Sequence, residues 1–320
     1  MLNKSMSGIL NAIFFKIMIS IMLLAFIAIQ INWGDVGGSI EHISGWVLGG
    51  SFLCLVLQTL VLGGRWHLIV NTGRVRMSYR KSLEVTFAAL IANLLFLTSI
   101  SGLAVRIALT VRHKISLLFA LGASLIDRLM TVLALLILAA IFMPFATEFM
   151  GQEIIIMGAS LLGTIVALLL GLFALSKTKY GAFLQSSRKT AATIKYMQSI
   201  FVRPVLFSSI ISVSLVAQLL YFGSVHILLN ASGAEISFVQ LLTVLPMIAL
   251  ISSLPIGIGG WGVREGAFVY GLGLLGVGIE QAFIVSIQVG LLGLISAVMV
   301  GLPTWFIQER KQDTKQVTRT

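Results

Sequence analysis

The chain has 320 residues, 58% hydrophobic and only 10% charged, with a mean hydropathy of +1.04. A soluble domain carries about 25% charged residues, so this composition excludes one and indicates a polytopic membrane protein. The net charge of +11 is no nucleic-acid signal, because the basic residues gather in alternate connections between apolar runs, the pattern that membrane sidedness imposes.

Apolar runs long enough to cross a bilayer lie at 13–31, 43–62, 117–141, 154–175, 204–229 and 282–306. None alternates every second residue, so helices are predicted and a barrel is not. Lys4 and Lys16 flank the start of the first run, no small-x-small cleavage site follows it, and it reads as a retained helix. The second run contains Cys54, the single cysteine, which excludes an intrachain disulfide and a cysteine metal cluster. It ends near Arg65-Trp66, which reads as an interface anchor.

Arg74, Arg76, Arg80 and Lys81 follow, and then an apolar stretch, 83–101, that is interrupted by Gly102-Leu103-Ala104-Val105-Arg106-Ile107-Ala108. The run 117–141 carries Asp127 and Arg128 about ten residues in, about 15 Å deep. After 154–175 comes a connection to 203 with six basic residues, and with Tyr180, Phe183, Leu184, Ala191, Ile194 and Met197 at near-helical spacing. It reads as an amphipathic helix on the anionic inner leaflet, with a solvated loop as the alternative. The stretch 238–279 is broken by Pro255, Gly257, Gly259, Gly260, Trp261, Gly262, Arg264 and Glu265. The tail, 307–320, is basic through Arg310, Lys311, Lys315 and Arg319.

Acidic residues Asp35, Glu41, Glu148, Glu153 and Glu235 occupy the intervening connections, so the positive-inside rule places both termini in the cytoplasm, in the plasma (inner) membrane. Arg106, Arg112 and Lys114 then fit only if 83–101 enters from the cytoplasm and returns. From Glu235 to the tail an odd number of crossings is needed: one after a hairpin over 238–279, or three. The predicted fold is all-α, with about six full crossings, two broken or re-entrant hairpins and an inverted internal repeat, 43–141 against 204–306, in one membrane domain, 1–306. An offset of 158 aligns Arg106 with Arg264, Gly102 with Gly260, Val105 with Val263 and Ile100 with Ile258.

Charges at the centre of a membrane helix cost about 2.5–3.5 kcal/mol each, so Asp127 and Arg128 need partners. Neighbours on a helix point about 100° apart, which leaves Arg106 for Asp127 and Glu265 for Arg128. Arg106, Arg128 and Arg264 against Asp127 and Glu265 leave one positive charge, fitting a singly anionic head group. Glycine lets backbone approach a ligand and arginine offers a forked set of donors for phosphate or carboxylate. The competing reading is of ion pairs that only fix packing, with Arg106 snorkelling at a hairpin mouth. Asn93, Gln218 and Gln288 either line a cavity or bond between helices.

The segment LPIGIGGWGVREGAFVYGLGLLGV (254–277), Asp127-Arg128 within ASLIDRL, the segment ending in Arg106 and the Arg65-Trp66 pair together resemble the lysylphosphatidylglycerol synthase transmembrane, or flippase-like, family across 10–306. The resemblance implies a domain that moves lipids between leaflets, with some stand-alone members tied to glycolipid or hopanoid pathways. By motif it implies Arg264, Glu265, Gly257, Gly259, Gly260, Gly262, Arg106, Asp127 and Arg128 as substrate-binding residues. The first half departs from the family's pattern, since Thr98, Ser99 and Leu103 stand where a proline and an acidic residue are usual. Only 307–320 follow Phe306, so no aminoacyl-transferring domain and no lysyl-lipid synthesis are expected.

The leading expectation is a flippase for an anionic phospholipid, polyprenyl phosphate or glycolipid, without cofactor or metal. No Walker A pattern is present, and protonation of Asp127 or Glu265 offers a route to proton coupling. The alternatives are a membrane accessory protein that recruits a glycosyltransferase or lipid-synthesis enzyme, and an intramembrane lipid transferase. Against the last, the four histidines are dispersed and no G-x-S-x-G or H-E-x-x-H occurs.

Overall fold

The computed structural model describes residues 18, 20–31, 34, 44–73, 75–95, 101–148, 151–152, 156, 158–160, 163, 166–167, 188–253 and 261–317. Its helices are α1 (Ser20–Gln30), α2 (Gly45–Val70), α3 (Tyr79–Leu95), α4 (Ser101–Arg112), α5 (Leu117–Phe142), α6 (Arg188–Val202), α7 (Pro204–Ala231), α8 (Phe238–Ser252), α9 (Val263–Gly273) and α10 (Ile279–Val317). The chain is an all-α integral membrane protein. Among the described residues, four helices are long and apolar enough to cross a bilayer: α2, α5, α7 and the Ile279–Met299 part of α10. The predicted crossing at 154–175 falls mostly outside the described residues.

The breaks in the apolar runs become hairpins. At about 1.5 Å per residue, α3 (17 residues) and α4 (12 residues) reach about 26 and 18 Å, and α8 (15 residues) and α9 (11 residues) about 22 and 16 Å. Each falls short of a hydrocarbon core of about 30 Å. At the first, the Gly102 N–H donates to Asn93 Oδ1 at 2.9 Å and Ser101 Oγ to the Ala92 carbonyl at 2.8 Å. Asn93 therefore closes a turn. Gly102 sits so tightly there that a Cβ would lie 2.4 Å from the Ala89 carbonyl. In the second, Gly271 faces Ile248, which sets α9 antiparallel to α8.

The second four-element block repeats the first. α2, α3, α4 and α5 correspond in order and kind to α7, α8, α9 and α10. The blocks run in opposite senses, because Ser51 bonds Ser224 at 2.7 Å while Arg65 bonds Ser214 at 3.2 Å, a pairing only antiparallel helices produce. The hairpins are exchanged: α3 packs on α10, with Gly301 against Phe87, and α8 packs on α5. An identical helix-end clasp recurs 159 positions apart. Asn71 approaches His67 at 2.9 Å and donates to the Met77 carbonyl at 2.9 Å, while Asn230 approaches His226 at 3.3 Å and donates to the Ile236 carbonyl at 3.1 Å.

Two apolar clusters hold the blocks together. One joins Trp66, Ile69, Ile126, Met130, Ile200 and Ile210; the other joins Leu135, Phe222, Leu228, Leu245, Phe268 and Val285. α6 belongs to the first cluster through Ile200, which is fully buried, and Tyr196 donates to the Ile69 carbonyl. The described part of α6's apolar side thus rests on α2 and α5, with Met197 against Gly122. Tyr180, Phe183 and Leu184, and the side chains of Ala191 and Ile194, lie outside the described residues.

Candidate functional site

The return helix of each hairpin carries an arginine in its first two turns. Gly102–Ala108 is helical within α4, and Val263–Gly266 opens α9, so the glycine-arginine segments are helix starts rather than loops. A helix start carries unpaired N–H groups and the positive end of the helix dipole, which adds to the arginine's attraction for an anion.

In the first half Asp127 is the hub. Its Oδ2 accepts from Arg106 Nη1 at 2.5 Å, the pairing expected from the sequence, and its Oδ1 accepts from Arg65 Nε at 2.8 Å. Arg65 also donates to Ser214. Arg65 is 3% exposed and Trp66 0%, so the interface-anchor reading of that pair is wrong. Gly63, with Leu83 packed where a Cβ would stand, lets the hairpin close over this end of α2. The Arg106 guanidinium lies 4.9 Å from the centre of the Trp66 ring, a cation–π stack. The Trp66 Nε1–H beneath it is buried with no acceptor among the described residues.

In the second half Glu265 is the hub. It is fully buried, and its Oε2 accepts the Gly262 N–H at 2.5 Å, closing the first turn of α9. Its Oε1 accepts from Arg264 Nη2 at 2.6 Å and Nε at 3.0 Å. The expected pairing of Glu265 with Arg128 is therefore wrong. Neighbouring helix residues do diverge, but at a helix start the long guanidinium curls back onto a carboxylate that the cap already holds inward. Arg264 stacks on Trp261 at 4.6 Å, and its other face meets Gly290 on α10, where a Cβ would lie 2.4 Å from Nη2.

Gly262 has φ +86°, and a side chain there would meet the Ser20 backbone 3.0 Å away. Ser20 Oγ donates to the Trp261 carbonyl at 3.0 Å, so α1 crosses this turn. Tyr221 of α7 lies within electrostatic reach of Arg264 and Glu265. Gly257, Gly259 and Gly260, with Pro255, lie outside the described residues. Arg128 is exposed, and no carboxylate pairs with it among the described residues.

Both halves share one construction. The carboxylates are sealed, at 6% and 0% side-chain exposure, while Arg106 and Arg264 keep 15% and 16%. Each buried acid holds an arginine between itself and a tryptophan and leaves that side chain partly exposed. Counting Arg65, Arg106, Arg128 and Arg264 against Asp127 and Glu265, four less two leaves two positive charges rather than one. The sequence missed Arg65. The available signal was that Asp127, at that depth, has four lone-pair directions and one arginine fills only part of them.

Compared with known families, the chain matches the one described as the lysylphosphatidylglycerol synthase TM region, over residues 13–301. No curated protein matches it.

Proposed function

The chain belongs to the lysylphosphatidylglycerol synthase transmembrane family, and we propose that it moves a lipid with an anionic head group between the leaflets of the membrane. The observation that carries this reading is the twin construction: two hairpins of short helices in antiparallel blocks, each presenting an acid-held, tryptophan-stacked arginine. Re-entrant helix starts at membrane depth are where transporters place binding sites, and opposed repeats allow one gate to open as the other closes.

In this reading Arg264 and Arg106 contact the head group, while Glu265, Asp127 and Arg65 position them. Gly262, at the start of α9, brings backbone close to it. The face bearing exposed Arg76, Lys81, Arg112, Lys114 and Arg203 is cytoplasmic by the positive-inside rule. It faces the anionic inner leaflet, both termini lie on that side, and the membrane is the plasma (inner) membrane. No chemical conversion of the lipid is part of the proposal.

The test is a leaflet-exposure assay on purified protein in vesicles containing fluorescent phosphatidylglycerol. Wild type accelerates exchange between leaflets, and Arg264→Ala and Glu265→Gln abolish most of that acceleration. Exchange that is unchanged in both variants overturns the site. A wild type that moves no lipid but co-purifies with a glycosyltransferase supports the accessory role instead.

A further inference from the structure

Arg128 lies about 100° around α5 from Asp127, and its surroundings are of a different kind. Leu118, Leu121 and Leu125 recur at helical spacing and are 36%, 44% and 54% exposed; Arg128 continues that stripe one turn further on, and is itself exposed. Asp127 is turned inward, buried and paired with Arg65 and Arg106. The stripe is an exposed apolar face of α5, and Arg128 stands on it 11 positions from Leu117, about 16 Å from that end of the helix. An arginine at that depth on an apolar surface is costly, by about 2.5–3.5 kcal/mol. Among the described residues no carboxylate offsets it.

Its electrostatic neighbours deepen the imbalance. Arg128 lies within reach of Arg65, Arg106 and Asp127. Three guanidiniums against one carboxylate leave two positive charges at mid-membrane, with Arg128 alone of the three turned outward. In a low-dielectric setting such a charge draws the nearest anion that can travel through a bilayer. That anion is the phosphate of a lipid.

We propose that Arg128 is a lateral docking station, at which the phosphate of a membrane phospholipid is held against the outer face of α5 before reaching Arg106, its acyl chains staying among Leu118, Leu121 and Leu125. The lipid then comes to the site sideways from the bilayer rather than through either hairpin mouth. The inference rests on the transport reading for its purpose, but the contact itself is a binding event and is tested as one.

The full chain is reconstituted into phosphatidylcholine vesicles containing phosphatidylglycerol with a photoactivatable group near its glycerol, irradiated, and mapped by peptide mass spectrometry. Labelling is expected to concentrate on the Leu118–Arg128 peptide. It falls about tenfold in Arg128→Gln, the scale of one charge-assisted hydrogen bond, and returns in Arg128→Lys. A photoactivatable diacylglycerol, which has no phosphate, labels α5 equally in wild type and Arg128→Gln. Phosphatidylglycerol labelling that Arg128→Gln leaves unchanged, or equal enrichment of diacylglycerol on this peptide, overturns the proposal. If wild type moves lipid yet shows no Arg128-dependent labelling, docking fails and transport stands. If it labels as expected yet moves no lipid, transport fails and docking stands.

Discussion

Arg65 and Asp127, on different helices and 62 positions apart, share a buried charge-assisted hydrogen bond of 2.8 Å. That bond ties α2, the scaffold of the first block, to α5, and through Asp127 it sets where Arg106 points. Two buried guanidiniums depend on one carboxylate, so the carboxylate is the member whose loss is felt most.

Asp127→Asn is expected to destabilise the protein by about 3–5 kcal/mol, since it leaves Arg65 and Arg106 without a counterion. Chemical unfolding in detergent measures it. The triple change Arg65→Met, Arg106→Leu, Asp127→Leu recovers most of that loss, because the buried charges leave together. A loss below about 1 kcal/mol for Asp127→Asn, the range of an exposed ion pair, contradicts the triad.

Gly290→Ala tests the placement of Arg264 without changing the arginine itself. The three atoms nearest the added Cβ all belong to the Arg264 guanidinium, which must swing away. Leaving the Trp261 stack and the Glu265 clamp costs Arg264 its orientation. Lipid exchange in vesicles is expected to fall at least about tenfold, or about 1.4 kcal/mol in the barrier. Thermal stability in detergent falls as well, because the fully buried Glu265 is left without its counterion.

The two clasps at the ends of α2 and α7 predict additive effects. Asn71→Ala and Asn230→Ala each remove a side-chain amide that donates to a turn carbonyl and are expected to cost about 1–2 kcal/mol. They sit at opposite ends of the antiparallel pair, so the double variant should equal the sum to within about 0.5 kcal/mol. Unfolding midpoints of the three proteins decide it.

His113, in the turn between α4 and α5, has its pKa pushed below the usual 6.5 by burial and by the nearby Lys81. As pH falls, the unfolded chain takes this proton first, so stability falls from pH 6.5 downward until the folded value is passed. Tyr196 does the reverse at the other end of the scale. Burial pushes its hydroxyl up to about 12 from 10, so its contribution is whole below pH 10 and disappears as pH rises through 12. Unfolding followed across pH should lose the acidic slope in His113→Gln and the alkaline slope in Tyr196→Phe.

Much of the architecture was legible because membrane constraints are coarse. Run length set α2, α5, α7 and α10, charge parity demanded that the first hairpin return, and the spacing from Arg106 to Arg264 exposed the repeat. The contact between Arg106 and Asp127 followed from the cost of an unpaired charge. Arg65 was hidden because it stands where positive-inside residues gather, just before a basic connection, and only tertiary packing buries it. The pairing of Arg264 with Glu265 was hidden because the rule that helix neighbours diverge holds for helix interiors, whereas these two occupy a first turn whose cap turns Glu265 inward.

The most direct measurement of the central claim is the rate at which fluorescent phosphatidylglycerol becomes accessible across vesicles holding wild type, Arg264→Ala or Arg264→Lys, with protein incorporation matched. The account predicts rapid exchange with wild type, exchange near the protein-free rate with Arg264→Ala, and an intermediate rate with Arg264→Lys, which keeps the charge but loses the forked contact with Glu265. Equal rates for all three proteins, above the protein-free control, would contradict it.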